Sequence, residues 1–362
     1  MQFIRPDTKI DFVGFRYKAF AISGLMILLG IVFFFVRGGL TMGVDFAGGV
    51  LVQVKFAKPT TPDDIRKAIA EAGLERSAVQ QVGATADHEY LIRTDLTDAK
   101  LDVLSKKIED GLAKTYGAGG ATIRRVEMVG PKVGADLRQK ALLAIYYAIL
   151  FMAIYIAGRF EFKWTKGAVL AAFLFLGIYL LEVVGLNVVY LIIGAVIVTL
   201  ALCWFMGLPY AVGSSVALIH DVLIVMGAYA MLDKEFTLEV VAALLTLVGF
   251  SVNYNIIIFD RIRENQQKHR KLSLREIVNL SVNQTLSRTV LTSWTVFMTA
   301  ILLFFLGGPV IHDFAFAVWV GVLTGTFSSI YVASPILILH EDWLNARKKA
   351  AKAAAAAAGK AK

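Results

Sequence analysis

An ionisable pair, His220-Asp221, lies inside an otherwise apolar stretch from about 211 to 232. A charge deep in a membrane-length helix is expensive unless it faces a partner or a water path. Two interpretations of the pair remain open: a proton-handling group, or a structural pairing within a helix bundle. Arg288, at the start of a later apolar stretch, also has two interpretations. It is either part of the proton-handling site or a long basic side chain that snorkels to the membrane interface.

A second charged cluster closes another apolar stretch, with the sequence Phe259-Asp260-Arg261-Ile262-Arg263-Glu264-Asn265. Charges three and four residues apart on a helix form either a functional site or an interfacial lattice of ion pairs. The single cysteine, Cys203, lies in an apolar run, and no His/Cys spacing indicates a metal site. The most polar part of the chain, at about 41–131, shows no nucleophile-and-base pattern, so we expect no enzyme activity, metal or cofactor.

Composition places the chain in a membrane. Of its 362 residues, 57% are hydrophobic, and the mean hydropathy is +0.66. A soluble domain of this length could not bury so much apolar surface. The net charge of +9 comes from Lys and Arg at the ends of apolar runs. That placement indicates contact with anionic lipid rather than with nucleic acid.

The apolar runs predict eight membrane spans. Five runs reach about 18 to 20 residues, the length that crosses a bilayer: between Lys18 and Arg37, Lys140 and Arg159, Glu239 and Asp260, Arg288 and His312, and from Phe314 to Leu339. The stretch 167–232 has room for three more, with breaks at 182–187 and near Pro209. No cleavage site follows the first run, so we expect an uncleaved anchor.

Basic residues predict the orientation of these spans. They cluster before the first span, after the second, in the loop after Phe259 and in the tail. By the positive-inside rule both termini are cytoplasmic. A single helix within 167–206 would move the loop after Phe259 to the other side, so that segment holds two spans or none.

A polar segment after the first span has a different pattern. Residues 50–56, 78–82, 89–94 and 121–129 have the composition of strands, and Thr61-Pro62-Asp63-Asp64 is a helix-capping signal. Leu101, Leu104, Ile108 and Leu112 stripe a second helix that stops at Gly117. The order β-α-β-β-α-β predicts a ferredoxin-like fold, facing the periplasm. We therefore divide the chain into 1–40 (first span), 41–132 (this α+β domain), 133–343 (helical bundle) and 344–362 (basic tail).

Five stretches in register resemble the SecD/SecF family of protein-export membrane subunits, and in particular its smaller, SecF-type members. They are Gly43-Val44-Asp45-Phe46-Ala47-Gly48-Gly49, Val129-Gly130-Pro131-Lys132-Val133-Gly134, Leu218-Ile219-His220-Asp221-Val222, the stretch 259–265 given above, and Asn283-Gln284-Thr285-Leu286-Ser287-Arg288-Thr289. The resemblance runs from about Gly43 to Pro335, apart from 165–210. The glycines at 43, 48 and 49 also have a plain interpretation, which is a backbone turn, and Asp45 would then cap that turn.

The resemblance implies a function and partners. The family belongs to the resistance-nodulation-division superfamily of proton-driven transporters. The resemblance implies a SecD-like partner, contact with the SecYEG channel and with the translocating polypeptide, and use of the proton-motive force in export. Its motif residues here are Asp45, Gly48, Gly49, Asp260 and Arg261. A non-conducting scaffold subunit and a small-molecule efflux transporter are the alternatives.

Two departures from the family pattern bear on function. Where the family usually carries Asn-Asp-Thr, with a proton-carrying aspartate, this chain has Asn253-Tyr254-Asn255. A tyrosine, with a pKa near 10, rarely releases a proton in a membrane. The proton-coupling candidates are therefore Asp221, His220, Arg288, Tyr254 and Asn253, with Asp221 the remaining carboxylate. The second departure is the segment 165–210, which we predict to be an extra helical hairpin.

Overall fold

Long apolar helices make up most of the chain. The computed structural model describes residues 8–70, 74, 77–82, 88–94, 101–117, 119–165, 167–169, 171–172, 175, 177 and 187–360. Within these residues, seven helical stretches are long and apolar enough to cross a membrane. They include α1 (Arg16–Val36), α5 (Pro131–Glu161), α6 (Val188–Phe205), α7 (Pro209–Leu232), α8 (Leu238–Lys268) and α9 (Leu274–Leu306).

The last stretch is one long helix with an irregular turn. It consists of α10 (Gly308–Ser328), a π-helical turn (Ser329–Ala333) and α11 (Ser334–Lys360). The predicted class, a helical membrane bundle, is confirmed. The eighth predicted span falls mainly on 166–186, most of which lies outside the described residues, so that span stays a prediction.

Helix α6, the second helix of the predicted hairpin, packs against α5 and α7. Lys163 Nζ donates to the carbonyl of Gly207, 2.7 Å away, just after α6 ends. The Trp204 ring lies edge-on to His340 of α11, with centroids 4.9 Å apart. The outer face of α6 is apolar and exposed, as expected of a helix at the lipid boundary of the bundle.

The small domain has the predicted element order. Its elements are α2 (Val44–Ala47), β1 (Gly49–Phe56), α3 (Pro62–Ala70), β2 (Ser77–Val82), β3 (Glu89–Thr94), α4 (Leu101–Tyr116) and β4 (Ala121–Val129). The strands form an antiparallel sheet in the order β2-β3-β1-β4. After the short α2, this is the β-α-β-β-α-β arrangement of a ferredoxin-like fold, and the predicted fold is confirmed.

Alternation along β1 explains how this sheet meets its helices. Val50, Val52, Val54 and Phe56 are buried, whereas the residues between them are half-exposed. The buried face packs on residues of both helices, Ile65, Ala68 and Ile69 from α3 and Ile108 and Leu112 from α4. Helix α3 begins with the predicted cap: the Asp64 N–H donates to Thr61 Oγ1, and the Thr61 hydroxyl donates to the Asp64 carboxylate.

Candidate functional site

Asp221 lies in the middle of the bundle and is 3% exposed. Its Oδ2 accepts hydrogen bonds from Ser251 Oγ of α8 (2.7 Å) and Ser328 Oγ of α10 (2.9 Å). Its Oδ1 lies 3.0 Å from Nδ1 of His220 on the same helix. Three helices therefore meet at one carboxylate, and each oxygen has a partner, which meets the requirement for a polar group in an apolar interior.

His220 extends this network to a fourth helix. Its Nε2 lies 3.0 Å from Ser23 Oγ of α1, and its ring stacks on Phe327 with centroids 6.2 Å apart. If Nδ1–H donates to Asp221, Nε2 accepts the proton of the Ser23 hydroxyl. The chain of groups Ser23–His220–Asp221 thus links two protonatable groups of α7 to a hydroxyl of α1.

The same order of groups, Ser–His–Asp, occurs in hydrolases, but its surroundings here differ. Ser23 lies inside α1, whose backbone N–H groups bond within the helix. The backbone N–H groups of α1 beside Ser23 are therefore not available as donors to an oxyanion.

Glycines allow the helices around this network to approach closely. A Cβ on Gly30 of α1 would lie 2.7 Å from the Cα of Gly227 on α7. A Cβ on Gly213 of α7 would lie 2.6 Å from the carbonyl oxygen of Ala333. Small residues at helix crossings permit this backbone contact in membranes.

Tyr254, at the position of the usual family aspartate, is not among the described residues that hydrogen-bond to Asp221. Its side chain is fully buried, and its hydroxyl lies beside Ser293 and Thr326 without a hydrogen bond of normal geometry. Thr326 Oγ1 donates instead to Ser293 Oγ, 2.6 Å away. The residue of α8 that does reach Asp221 is Ser251, one turn earlier.

The neighbours of Tyr254 point elsewhere. Asn255 Nδ2 donates to Ser214 Oγ of α7 (3.2 Å), and its Oδ1 has no hydrogen-bond partner in the described part of the chain. Asn253 is exposed and lines a cleft of about 480 Å³. Three successive helical residues thus face three directions, as the spacing of about 100° per residue requires.

The cleft brings together four of the residues predicted from the sequence: Asn253, Asp260, Arg261 and Arg288. Asp260 Oδ2 pairs with Arg159 of α5 at 2.7 Å. Arg261 donates to Glu264 and to Gln284 of α9, both at 2.6 Å. Arg288 makes no ion pair among the residues described, and it is not among the groups that interact with Asp221 or Tyr254.

Aromatic contacts hold this end of the bundle together. The Phe160 ring meets Phe259 edge-on at 5.6 Å and stacks on Tyr210 at 5.4 Å. Glu161 Oε1 accepts from the backbone N–H of Tyr210, at the start of α7. These contacts, together with the ion pairs of the cleft, fix the stretch 259–265 against α5, α7 and α9.

The glycine motif joins the small domain to the bundle. Asp45 Oδ2 accepts from the N–H of Leu238, 2.9 Å away, so this carboxylate caps the start of α8 rather than its own turn. Gly48 has a φ of +77°, and a Cβ there would lie 2.9 Å from Pro131 Cα. Gly49 also has a positive φ, of +115°. Both glycines serve the backbone turn, in agreement with the plain interpretation.

A titratable group lies in this joint, outside the spanning helices. Burial between the domain and the bundle raises the pKa of Glu235, and the nearby Arg93 guanidinium of β3 opposes that effect. Asp313 and Asp45 raise the pKa of Glu235 further by repulsion. The hydrogen bond from Thr41 and the Arg37 charge lower the pKa of the neighbouring Asp233.

Sequence reasoning found His220 and Asp221 and missed the residues that bind them. Ser23, Ser251 and Ser328 are buried serines in apolar helices. The available signal was weak, because serines in such helices often bond their own backbone. Within the described ranges, no group of three or more His, Cys, Asp or Glu side chains is arranged to hold a metal ion.

Comparison with known proteins gives the family. The model for "Protein export membrane protein SecD/SecF, C-terminal" matches residues 108–200 and 181–343. The model for the "SecD/SecF GG Motif" matches residues 32–60. The two C-terminal matches overlap at 181–200, inside the segment predicted to be extra.

Curated relatives match over nearly the whole chain. Proteins named "Protein translocase subunit SecF" include one from Magnetococcus marinus, 39% identical over 98% of this chain and 99% of the relative. Those from Calditerrivibrio nitroreducens and Escherichia coli O157:H7 are 36% and 33% identical, covering 94% and 91% of this chain and 96% and 87% of the relatives.

A solved structure shares the fold. It is the crystal structure of SecDF, "a translocon-associated membrane protein", from Thermus thermophilus, with a TM-score of 0.69 and 30% identity. It covers 93% of this chain, which spans 39% of that longer protein. With this fold, near-complete relatives and both family models in agreement, the chain belongs to the SecD/SecF family of protein-export membrane proteins.

Proposed function

We propose that this chain is a SecF-type accessory subunit of a Sec translocase, which assists protein export across a bacterial inner membrane with a SecD-like subunit. The relatives' shared name and the near-complete alignment support this role. The SecYEG channel, the exported polypeptide and anionic lipid are the further partners. One bundle with one small domain is half of a transporter built from two repeats, which argues against a lone efflux pump.

The proposed topology puts both termini in the cytoplasm and the α+β domain in the periplasm. The basic loops and tail support it. Single cysteines at Glu182 and Lys268, with Cys203 replaced, test it together with the extra hairpin. We expect a membrane-impermeant reagent to label the two from opposite sides, and labelling from the same side would contradict the hairpin.

The proposed proton carrier is Asp221, with His220 as its relay. The observation that carries this proposal is a buried carboxylate of α7 that is bonded to α8 and α10 and, through His220, to α1. Because each hydrogen bond depends on the charge of the carboxylate, a proton gained there changes the preferred packing of these helices. Each proton that crosses 100 mV supplies about 2.3 kcal/mol.

Tyr254 leaves the usual family position without a titrating carboxylate. A buried phenol stays neutral near pH 7, so it serves only as a hydrogen-bond group. Its burial against Ser293 and Thr326, apart from the exposed Arg288, supports that limited role. We therefore expect weaker proton coupling at Tyr254 than a carboxylate there would give.

Export into inverted membrane vesicles, measured with and without a proton gradient, tests the carrier. We expect Asp221→Asn to abolish the proton-dependent part, whereas Asp233→Asn, an exposed control at the outer end of α7, should keep it. Proton-dependent export that survives Asp221→Asn would overturn the assignment. A rise in proton-dependent export with Tyr254→Asp would show that coupling was reduced at that position.

A scaffold role is the second candidate, and Tyr254 favours it. In that case, export stimulated by this chain would not depend on the proton gradient, and Asp221→Asn would change only the stability. Purification in mild detergent should recover the SecD-like partner under either proposal. A monodisperse lone chain with full stimulation of export would contradict the partnership.

A further inference from the structure

A π-helical turn interrupts the last membrane helix immediately after Ser328. The turn comprises Ser329–Ala333, and Ser334 Oγ closes it by donating to the Ser329 carbonyl, 2.8 Å away. A π turn holds one residue more than an α turn, so its conversion to α-helix would rotate one flank by about 100° against the other. Such turns often lie at functional positions.

The π turn contacts the helix that carries Asp221. Helices α7 and α10 run antiparallel here: Gly213 lies against Ala333, and Asp221, two turns later, lies beside Gly325 and Ser328. A Cβ on Gly213 would be 2.6 Å from the Ala333 carbonyl oxygen. The geometry of the π turn and the position of α7 therefore depend on each other.

The groups that face Asp221 are few. On its own helix His220 is the titratable neighbour, and Ser251 faces it from α8 and Ser328 from α10. From α1, Ser23 acts through His220. Of the four, Ser328 is the group that a change of register in the last helix would withdraw.

We propose that Ser328 is a positioning residue, held on the Asp221 carboxylate by the π turn, and that proton binding at Asp221 is thereby coupled to the register of the last membrane helix. This inference rests on the proposed role of Asp221 as proton carrier. A hydroxyl that donates to a carboxylate favours the ionised form. Withdrawal of Ser328 therefore favours the protonated form, and a proton at Asp221 favours the register without the π turn, because linkage is reciprocal.

Infrared spectroscopy of the full chain in lipid vesicles tests the coupling. The C=O stretch of a protonated carboxyl that is absent from Asp221→Asn reports the protonation of Asp221 as the pH is varied. We expect Ser328→Ala to move the midpoint up by about one pH unit or more, the effect of one charged hydrogen bond. Ser251→Ala, which removes the other hydroxyl on Oδ2, should give a shift of similar size and direction.

Ser329→Ala is the matched control. Ser329 is as deeply buried as Ser328, but its hydroxyl donates to the Thr326 carbonyl, so the midpoint should stay unchanged. Gly213→Ala places a Cβ against the Ala333 carbonyl of the π turn, two turns from Asp221, and we expect it to raise the midpoint. Gly249→Ala, whose new Cβ would contact nothing, should not.

The outcomes separate the two proposals. If no pH-dependent band is lost in Asp221→Asn, Asp221 does not titrate, and both proposals fail. If the band titrates but Ser328→Ala matches Ser329→Ala, the role of Ser328 is overturned while Asp221 stands as carrier. If Ser328→Ala shifts the midpoint but Gly213→Ala matches Gly249→Ala, the coupling to the π turn is overturned.

Discussion

Substitution of Gly30 by alanine should separate α1 from α7 and weaken the Asp221 network. Gly30 and Gly227 form a backbone contact two turns after Ser23 and His220, which pair across the same two helices. The added Cβ would lie 2.7 Å from Gly227 Cα, where carbon atoms prefer about 3.5–4.0 Å. The helices must therefore move apart by about 1 Å.

The expected loss of stability has two parts. Overpacking in a tight interface costs about 1–3 kcal/mol. Stretching the bond between Ser23 and His220, now 3.0 Å, adds about 0.6 kcal/mol, the average for interhelical hydrogen bonds in membranes. Alanine's higher helix propensity offsets about 0.8–1.0 kcal/mol of this loss of stability. We therefore expect Gly30→Ala to lower the free energy of unfolding by about 0.6–2.8 kcal/mol.

Reversible unfolding of the full chain in mixed detergent micelles measures this difference. Gly24→Ala is the matched control, because it lies on the same helix and its new Cβ would contact nothing within 4 Å. Gly24→Ala should be neutral or stabilising. If Gly30→Ala is no less stable than Gly24→Ala, the close crossing of α1 and α7 is refuted.

Three further predictions concern the joint and the charged cleft. Gly48→Ala should destabilise the chain more than Gly117→Ala in the same unfolding assay, because both glycines have positive φ but only Gly48 has backbone atoms in the way of a Cβ. Folding raises the pKa of Glu235, so its contribution to stability is present below the ordinary value near 4.5 and is lost as the pH rises through the raised value. The thermal midpoint should therefore decline over that pH range, and Glu235→Gln should remove the part of the decline that Glu235 causes. An unchanged pH profile in Glu235→Gln would contradict this. A double-mutant cycle on Arg159 and Asp260, both about half-exposed, should give no more than about 1 kcal/mol of coupling, and a larger value would show a desolvated pair.

Local patterns were sufficient to predict the elements of this protein. Apolar run length predicted the observed spans, and alternation with capping signals predicted the strands and helices of the small domain, whose sheet order then confirmed the ferredoxin-like fold. These features depend on residues that are close in sequence, and therefore the sequence displays them directly. His220 and Asp221 were equally visible, because ionisable residues in an apolar helix need an explanation.

Only the tertiary structure decided how these residues are used. Ser23, Ser251 and Ser328 reach His220 and Asp221 from three other helices, up to 197 positions away along the chain. Asn253 and Tyr254 are neighbours in sequence, yet one lines a cleft and the other is buried. A helical period gives the angle between two side chains but not the helix that each one faces, because that depends on how all the helices pack.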